Sequence, residues 1–580
     1  MKTVLRYYRP YIPFIVLILA LIFGQAMCEL ALPGYMSDII NNGIVKGDMN
    51  YIRTTGLIMI GVSCITVICS ILAGFLSSRT AAFTSRNIRG ALFQKVTHFS
   101  EAELEQFSTA SLITRSTNDV QMVQQATVMM LRLACFAPMM GIGAVIKALN
   151  TSVSLSWTVG LALAAIVCIM VFAFLTVMPK FRVLQKKLDR LNLIMKERLS
   201  GMLVIRAFTT ERSEEERFDE ANLDLTKINL FVNKAMSFMM PALMFVMNTV
   251  SILIIWAGAH LIEARQLMIG DMLAYLQYAM HVIMSFLFIT MMFIMIPRAV
   301  VSAQRIGAVL DVEPTIEDPQ QPQALEAPKG RIVFEHVSFA YPDAEEKTLD
   351  DIDFVAEPGK TTAIIGGTGS GKSSLISLIP RFYDVSQGRI TLDGVDIRAL
   401  KQHDLREQIG YVPQKGLLFS GTIATNLQYG KRGATEAEMR EAAETAQAMD
   451  FISEKADGFA EEVAQGGTSV SGGQKQRLSI ARALIKKPKV YIFDDSFSAL
   501  DFKTDQALRA ALKETVGSST IIIVAQRINT ILDADQILVL DDGKIAGKGT
   551  HEELMKTCQV YQEIALSQLS EEELERGRRA

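Results

Sequence analysis

The stretch Thr362-Ala363-Ile364-Ile365-Gly366-Gly367-Thr368-Gly369-Ser370-Gly371-Lys372-Ser373 decides how the C-terminal half of the chain reads. Gly366 through Ser373 fit GxxxxGK[ST] in full. The apolar run before them predicts a strand, and Ser373–Ile379 predicts a helix. Glycines at these positions let backbone N–H groups close around phosphate oxygens. The helix N-terminus adds a positive dipole end. Lys372 is then placed to reach the β- and γ-phosphates of a nucleotide, and the Ser373 hydroxyl to ligate Mg²⁺. A chance Gly-rich turn of this form is expected in roughly a few per cent of chains this long, and the flanking strand and helix lower that further. Val490-Tyr491-Ile492-Phe493-Asp494 reads as a buried strand ending in an acid, which suits a second Mg²⁺ ligand.

Outward from this stretch, apolar segments at 331–340, 361–366, 389–392, 490–494, 519–525 and 536–540 alternate with helical segments. They predict an α/β ATP-binding domain over 331–580. Before it, residues 311–330 carry Pro314, Pro319, Pro322, Pro328 and Gly330 among acids and glutamines, the composition of a linker. Residues 1–310 differ in kind. Apolar runs at 12–33, 55–78, 127–149, 152–178, 236–260 and 269–296 each reach the ~20 residues that cross a bilayer as a helix. The expected fold is therefore an α-helical six-span transmembrane domain with long cytosolic helical extensions, fused to an α/β P-loop domain. The third run carries Arg132 and Lys147 near its ends, where long side chains snorkel to the interface. The first run is too long for a cleaved signal and lacks a small-residue cleavage site.

Basic residues set the expected orientation. Lys2, Arg6 and Arg9 precede the first run. Arg79, Arg86, Arg89, Lys95 and Arg115 follow the second, and Lys186, Lys187, Arg190, Lys196 and Arg198 follow the fourth. Excess Lys and Arg marks the cytosolic side, so both termini and both long loops are expected in the cytosol. The net charge of the whole is only −3, which does not suggest nucleic-acid binding. The six cysteines form no CxxC pair, and five of them lie in apolar stretches. They read as small core hydrophobes, neither a disulfide framework nor a zinc site.

Val470-Ser471-Gly472-Gly473-Gln474-Lys475-Gln476-Arg477 closely resembles the LSGGQ signature of ABC proteins, with Val470 for Leu. Other elements resemble the same family in order: Tyr341, Gln414 within Val412-Pro413-Gln414, and Ser498-Ala499-Leu500-Asp501. Ser111–Asp119 and Gly201–Phe208 look like exporter cytosolic-loop motifs, so the resemblance covers nearly the whole chain. It implies ATP and Mg²⁺ as ligands. Tyr341 would stack on adenine. Gly366, Gly367, Thr368, Gly369, Ser370, Gly371, Lys372, Ser373 and Ser374 would hold the phosphates. Ser373, Gln414 and Asp494 would hold Mg²⁺. Ser471, Gly472, Gly473 and Gln474 would bind the γ-phosphate in a partner chain's site, so one copy cannot complete a site. Short helices near 100–110 and 206–213 are the expected carriers of motion to the membrane.

Two positions depart from the family pattern. The glutamate expected after Asp494 is Asp495, and the switch histidine is Gln526 in Ala525-Gln526-Arg527. Losing a methylene withdraws the carboxylate by about 1.5 Å, and a misplacement near 1 Å costs roughly 10²-fold in rate. Gln donates a hydrogen bond but cannot become cationic or shuttle a proton. With Gln414, these are the candidate catalytic residues. The pairing resembles the degenerate-site subunit of heterodimeric bacterial multidrug exporters. It implies a second half-transporter with Glu and His at the matching positions, in the bacterial plasma membrane. A homodimeric exporter, an exporter-fold importer and an ATP-gated channel or sensor remain open. The implied substrate is a small hydrophobic or amphipathic compound. Met236, Met240, Met244 and Met284 offer adaptable apolar surface, as do Phe238, Phe245 and Phe293, but ordinary lipid-facing or core packing explains them better. Glu29, Gln277 and His281 are polar groups within spans.

Overall fold

A computed structural model describes residues 2–342 and 344–568. The chain forms two compact units. One comprises Met1–Val96 with Ala110–Val312; the other comprises Thr97–Thr109 with Glu313–Ala580.

Among the described residues of the first unit, six helices are long and apolar enough to cross a membrane: Lys2–Ile44, Met49–Thr97, Thr109–Thr151, Val153–Val177, Glu211–Glu263 and Ile269–Ile289. Every apolar run read from the sequence falls on one of these helices or its continuation. The helices Ser156–Ala207 and Glu211–Glu263 have 52 and 53 residues. At 1.5 Å per residue each is roughly 80 Å long, far beyond the ~30 Å hydrocarbon core. Their surplus carries the charged residues, including the ion pairs Lys187–Asp224 at 2.5 Å and Arg198–Glu214 at 3.3 Å.

The interior of this unit is apolar, built around Ala26, Leu30, Met140, Ala144, Tyr275 and Ile283. Two polar ties fasten its helices. Asp271 accepts from Ser37 at 2.6 Å and Asn41 at 3.1 Å. Asp119 accepts from Ser302 at 2.9 Å and pairs with Arg305 at 3.4 Å. Asp119 and Asn41 both sit in π-helical turns, Arg115–Asp119 and Ile39–Ile44. Such turns widen a helix by one residue and re-aim a side chain. Phe238, Met240, Met244 and Phe245 point outward from this unit. Glu29 is half-buried and hydrogen-bonded by Gln25, while Gln277 meets the Met36 sulfur at 3.6 Å. The side chain of Phe293 lies outside the described residues.

The described residues of the second unit hold twelve strands: β1 (Ile332–Phe339), β2 (Leu349–Ala356), β3 (Thr361–Gly366), β4 (Gln387–Leu392), β5 (Val395–Asp396), β6 (Ile409–Val412), β7 (Gly421–Thr422), β8 (Glu462–Val463), β9 (Val490–Asp494), β10 (Thr520–Val524), β11 (Gln536–Asp541) and β12 (Lys544–Gly549). The central sheet runs β12-β11-β3-β10-β9-β6, parallel throughout except at the β12 edge. A second sheet, β2-β1-β4-β5, is antiparallel. β2 was hidden in the sequence because Asp350, Asp351 and Asp353 interleave with its buried Leu349, Ile352, Phe354 and Ala356. Residues 311–330 are partly fastened to this unit: Ile316 is buried, Leu325 packs on its core and Gln402 donates from its backbone to Asp318 at 2.9 Å.

Of the two short helices expected to carry motion, one forms. Glu101–Gln106 clusters with the second unit, where Ala102 packs on its core. Glu103 accepts from the Thr315 backbone at 2.9 Å and caps Ser100 at 2.6 Å. Burial raises its carboxyl, but these hydrogen bonds outweigh it and hold the group below its ordinary value. The other does not form: Phe208–Thr210 is only a turn between two long helices, with Thr209 at φ 52°. The local sequence keeps helical propensity on both sides and only one left-handed residue breaks it.

Phe334 and Phe354 stack at 4.5 Å, fully buried, across the β1–β2 pair. Phe334→Ala is expected to cost about 3–5 kcal/mol, read as a lower thermal unfolding midpoint of the purified protein.

Candidate functional site

Three parallel strands set the site. β3 runs directly into the loop Gly366–Gly371, which feeds the helix Lys372–Leu378. β9 ends in Asp494, and β10 pairs between them, with Val524 opposite both Asp494 and Ile364. The loops at the C-terminal ends of all three strands therefore converge, where α/β sheets bind ligands. Two glycines are required by the loop's shape. Gly371 has φ 94°, and a Cβ on Gly366 would come within 2.1 Å of the Leu540 carbonyl oxygen.

Lys372 folds back over its own loop. Its Nζ donates to the carbonyls of Gly367 at 2.6 Å and Gly366 at 2.9 Å. Burial pulls the ammonium below its usual range, with Asp495 and Asp494 opposing. Ser373 Oγ donates to Asp494 Oδ1 at 3.3 Å. Asp494 is buried, and that burial raises its carboxyl above the ordinary range, while Ser373 and Lys372 oppose. Serine, aspartate and the Gln414 amide offer hard oxygen donors, the chemistry that suits Mg²⁺. Among the described residues no group of three or more His, Cys, Asp or Glu is placed to hold a metal.

Asp495, Gln414 and Gln526 meet at one atom. Gln526 Nε2 donates to Asp495 Oδ2 at 2.9 Å, and Gln414 Nε2 donates to the same oxygen at 3.2 Å. Asp495 is buried and sits at φ 46°, a left-handed conformation in which Asp is more frequent than most residues. Tyr341 lies beside this loop, its hydroxyl 2.8 Å from Ser374 Oγ. Ser471 is the N-cap of the helix Gly472–Leu484 and forms a capping box with Gln474. Ser471 and Gly472 are exposed, and no hydrogen bond among the described residues joins Ser471–Gln474 to the phosphate loop.

With this geometry in hand, the comparisons with known proteins converge. The ABC transporter transmembrane region family matches residues 15–286, and the ABC transporter family matches residues 349–498. An uncharacterised ABC transporter ATP-binding protein of Mycobacterium tuberculosis is 39% identical over 567 residues, covering 97% of each chain. The chain belongs to the ABC transporters. An ATP-dependent lipid A-core flippase of Desulfotalea psychrophila is 31% identical, over 97% of this chain and 98% of that one. A solved bacterial Atm1-family ABC exporter with ATP bound superposes with a TM-score of 0.76 at 25% identity, over 97% of this chain and 99% of the other. This ABC transporter thus joins an exporter-type helical region to an ABC ATPase domain.

Two supporting sets of contacts in this ABC transporter escaped the sequence reading. Gln476 is buried, accepts from the Gly416 backbone at 3.0 Å and donates to the Pro413 carbonyl at 3.1 Å. It ties the signature helix to the loop that carries Gln414. Gln568 holds the switch loop, accepting from the Ile528 backbone and donating to the Gln526 carbonyl, each at 2.9 Å. Gln476 lies within the signature stretch, but its bracing contacts do not follow from the motif, and Gln568 carries no motif at all, so only the tertiary contacts reveal what these two do.

Asp494 gives a pH-dependent expectation. A carboxyl raised on folding contributes most to stability below its unfolded value and loses that contribution as pH rises through the folded one. Asp494→Asn removes the buried charge. It is expected to raise the unfolding midpoint of nucleotide-free protein at neutral pH, with the gain shrinking toward acid pH. Thermal scans across that range check the sign, and Mg²⁺-dependent ATPase activity should be lost.

Proposed function

We propose that this chain is one half of a heterodimeric exporter whose own phosphate loop binds ATP and hydrolyses it slowly. The observation that carries the reading is the meeting of two glutamine amides on one oxygen of a shortened carboxylate, Asp495 Oδ2. Two donated hydrogen bonds engage the lone pairs with which that oxygen would orient a water. Neither amide can take up a proton. ATP can still be held: Lys372 on the β- and γ-phosphates, Gly366–Ser374 around them, Tyr341 on adenine, and Ser373, Asp494 and Gln414 about Mg²⁺. Mg²⁺ would supply charge neutralisation for the phosphates. Lys372 must leave the Gly366 and Gly367 carbonyls to do its part.

Ser471, Gly472, Gly473 and Gln474 form an outward-facing helix N-terminus suited to the γ-phosphate of a partner's site. The exposure of Ser471 and Gly472 supports a site completed only by a second half-transporter, one with Glu and His at the matching positions. That second interface would hydrolyse ATP quickly. The basic residues flanking the spans support cytosolic termini in a bacterial plasma membrane. The cargo is a hydrophobic or amphipathic, lipid-like compound. Relatives named as lipid A-core flippases support that class. The sequence boundaries 1–310, 311–330 and 331–580 serve as the working division of the chain.

The test uses the assembled complex. Asp495→Glu with Gln526→His is expected to raise its ATPase rate by restoring the second site, where a misplaced group costs on the order of 10²-fold. Unchanged turnover counts against the reading, as does brisk ATP hydrolysis with transport by a purified homodimer.

A further inference from the structure

The helix Gln559–Gln568 runs up to the loop that carries Gln526, and Gln568 grips that loop. Gln568 is exposed, yet its amide makes two backbone hydrogen bonds. Its Nε2 donates to the Gln526 carbonyl and its Oε1 accepts from the Ile528 N–H, each at 2.9 Å. Arg527 between them is extended, with φ −107° and ψ 129°, so the two groups face the same side of the chain. A side-chain amide carries both donor and acceptor, and so pairs with the two at once, as a neighbouring strand would. Gln568 reaches them because it shares a helix face with Tyr561 and Ala565, at spacings of seven and three, and both of those are buried. Tyr561 is held further by the His551 ring, whose Nδ1 lies 2.7 Å from its hydroxyl. The helix is thus seated on the core by one face and delivers Gln568 at its end.

We propose that Gln568 is a positioning residue for ATP hydrolysis, setting through the Gln526 backbone how that side chain meets Asp495. Upstream, Gln526 follows a pinned residue: the Ala525 N–H donates to the Ile364 carbonyl at 3.1 Å. Downstream, its own carbonyl and the Ile528 N–H are the groups that Gln568 holds. With both flanks fixed, the Gln526 side chain starts from one backbone position, and its Nε2 meets Asp495 Oδ2 at 2.9 Å. Replacing Gln568 by an apolar residue frees the downstream flank alone. Arg509 still donates to the Thr530 carbonyl at 3.4 Å, so the loop stays tied beyond Ile528. A backbone shift of about 1 Å at Gln526 stretches its contact with Asp495 beyond hydrogen-bonding range. A misplacement of that size at a reacting centre costs or gains up to roughly 10²-fold in rate. The direction of the change rests on the proposed slow site, in which the Gln526 amide occupies an oxygen that would orient water. On that reading, release speeds hydrolysis.

The experiment reads this chain's own site in the assembled transporter. Azido-ATP labelled on its α-phosphate is loaded with Mg²⁺ under single-turnover conditions and photo-crosslinked after increasing times. The ratio of ADP to ATP on this polypeptide gives the rate of hydrolysis there. Gln568→Met keeps the length and helix propensity of the side chain and removes its amide. It should speed conversion by about threefold or more while leaving ATP affinity within about twofold. The unfolding midpoint reports that the variant is folded, and hydrogen exchange at the Ile528 amide should rise by about threefold or more. In a Gln526→Ala background the same change should alter conversion no further. Unchanged conversion in Gln568→Met, with faster exchange at Ile528, overturns the proposal. So does unchanged exchange at Ile528, and so does an equal effect on conversion with and without Gln526. If Gln568→Met slows conversion and that effect vanishes in Gln526→Ala, the positioning role stands and the slow-site reading falls.

Discussion

The parallel register of β3, β10 and β9 is the constraint on which the rest of the ATPase unit depends. Ile364 pairs with Val524 and Val524 with Asp494, so three strand ends finish at one level. Strand side chains alternate faces with a period of two, and a slip of one residue would turn Asp494 away from Ser373. The register is secured by burial on both sheet faces. All five residues of β9 and all five of β10 are buried. Each fully buried aliphatic or aromatic side chain is worth about 1.5–3 kcal/mol against exposure. A slip exchanges many of these at once for no gain.

On that frame the polar groups are assembled at some cost. Asp494 and Asp495 are adjacent buried carboxylates, and burying charge is unfavourable without partners. Ser373 serves the first; Gln414 and Gln526 serve the second. The same contacts that satisfy Asp495 also tie two loops, one from β6 and one from β10, to the end of β9. Gln476 and Gln568 then brace those loops from the signature helix and the C-terminal helix. The two amides are neutral groups that neither gain nor lose a proton.

The membrane unit solves a different problem. In hydrocarbon, apolar side chains gain nothing by packing on each other rather than on lipid, so polar ties and close fits hold helices together. Ser37, Asn41 and Asp271 bind one end of the first span to the start of the sixth. Asp119, Ser302 and Arg305 bind the third helix to the far end of the sixth. Both ties involve π-helical turns. Long helices continue beyond the apolar segments, and part of their charged surplus is paired.

The six spans, the phosphate loop, the acid at the end of β9 and the signature helix were legible in the sequence. Each is encoded locally: apolar runs of bilayer length, glycines at fixed spacing, and a capping serine ahead of a helical run. Asp495 and Gln526 stood out as departures from a resemblance, again one residue at a time. That both amides close on a single carboxylate oxygen was not legible, because it joins residues 81 and 31 positions apart. Nor was the line of contacts from Ser374 through Tyr341 to Tyr383, or the loss of the expected helix at 206–213. Local pattern fixes which elements form, since propensity and burial act over a few residues. Which side chains share an atom depends on strand register and loop path, and only the tertiary structure decides those.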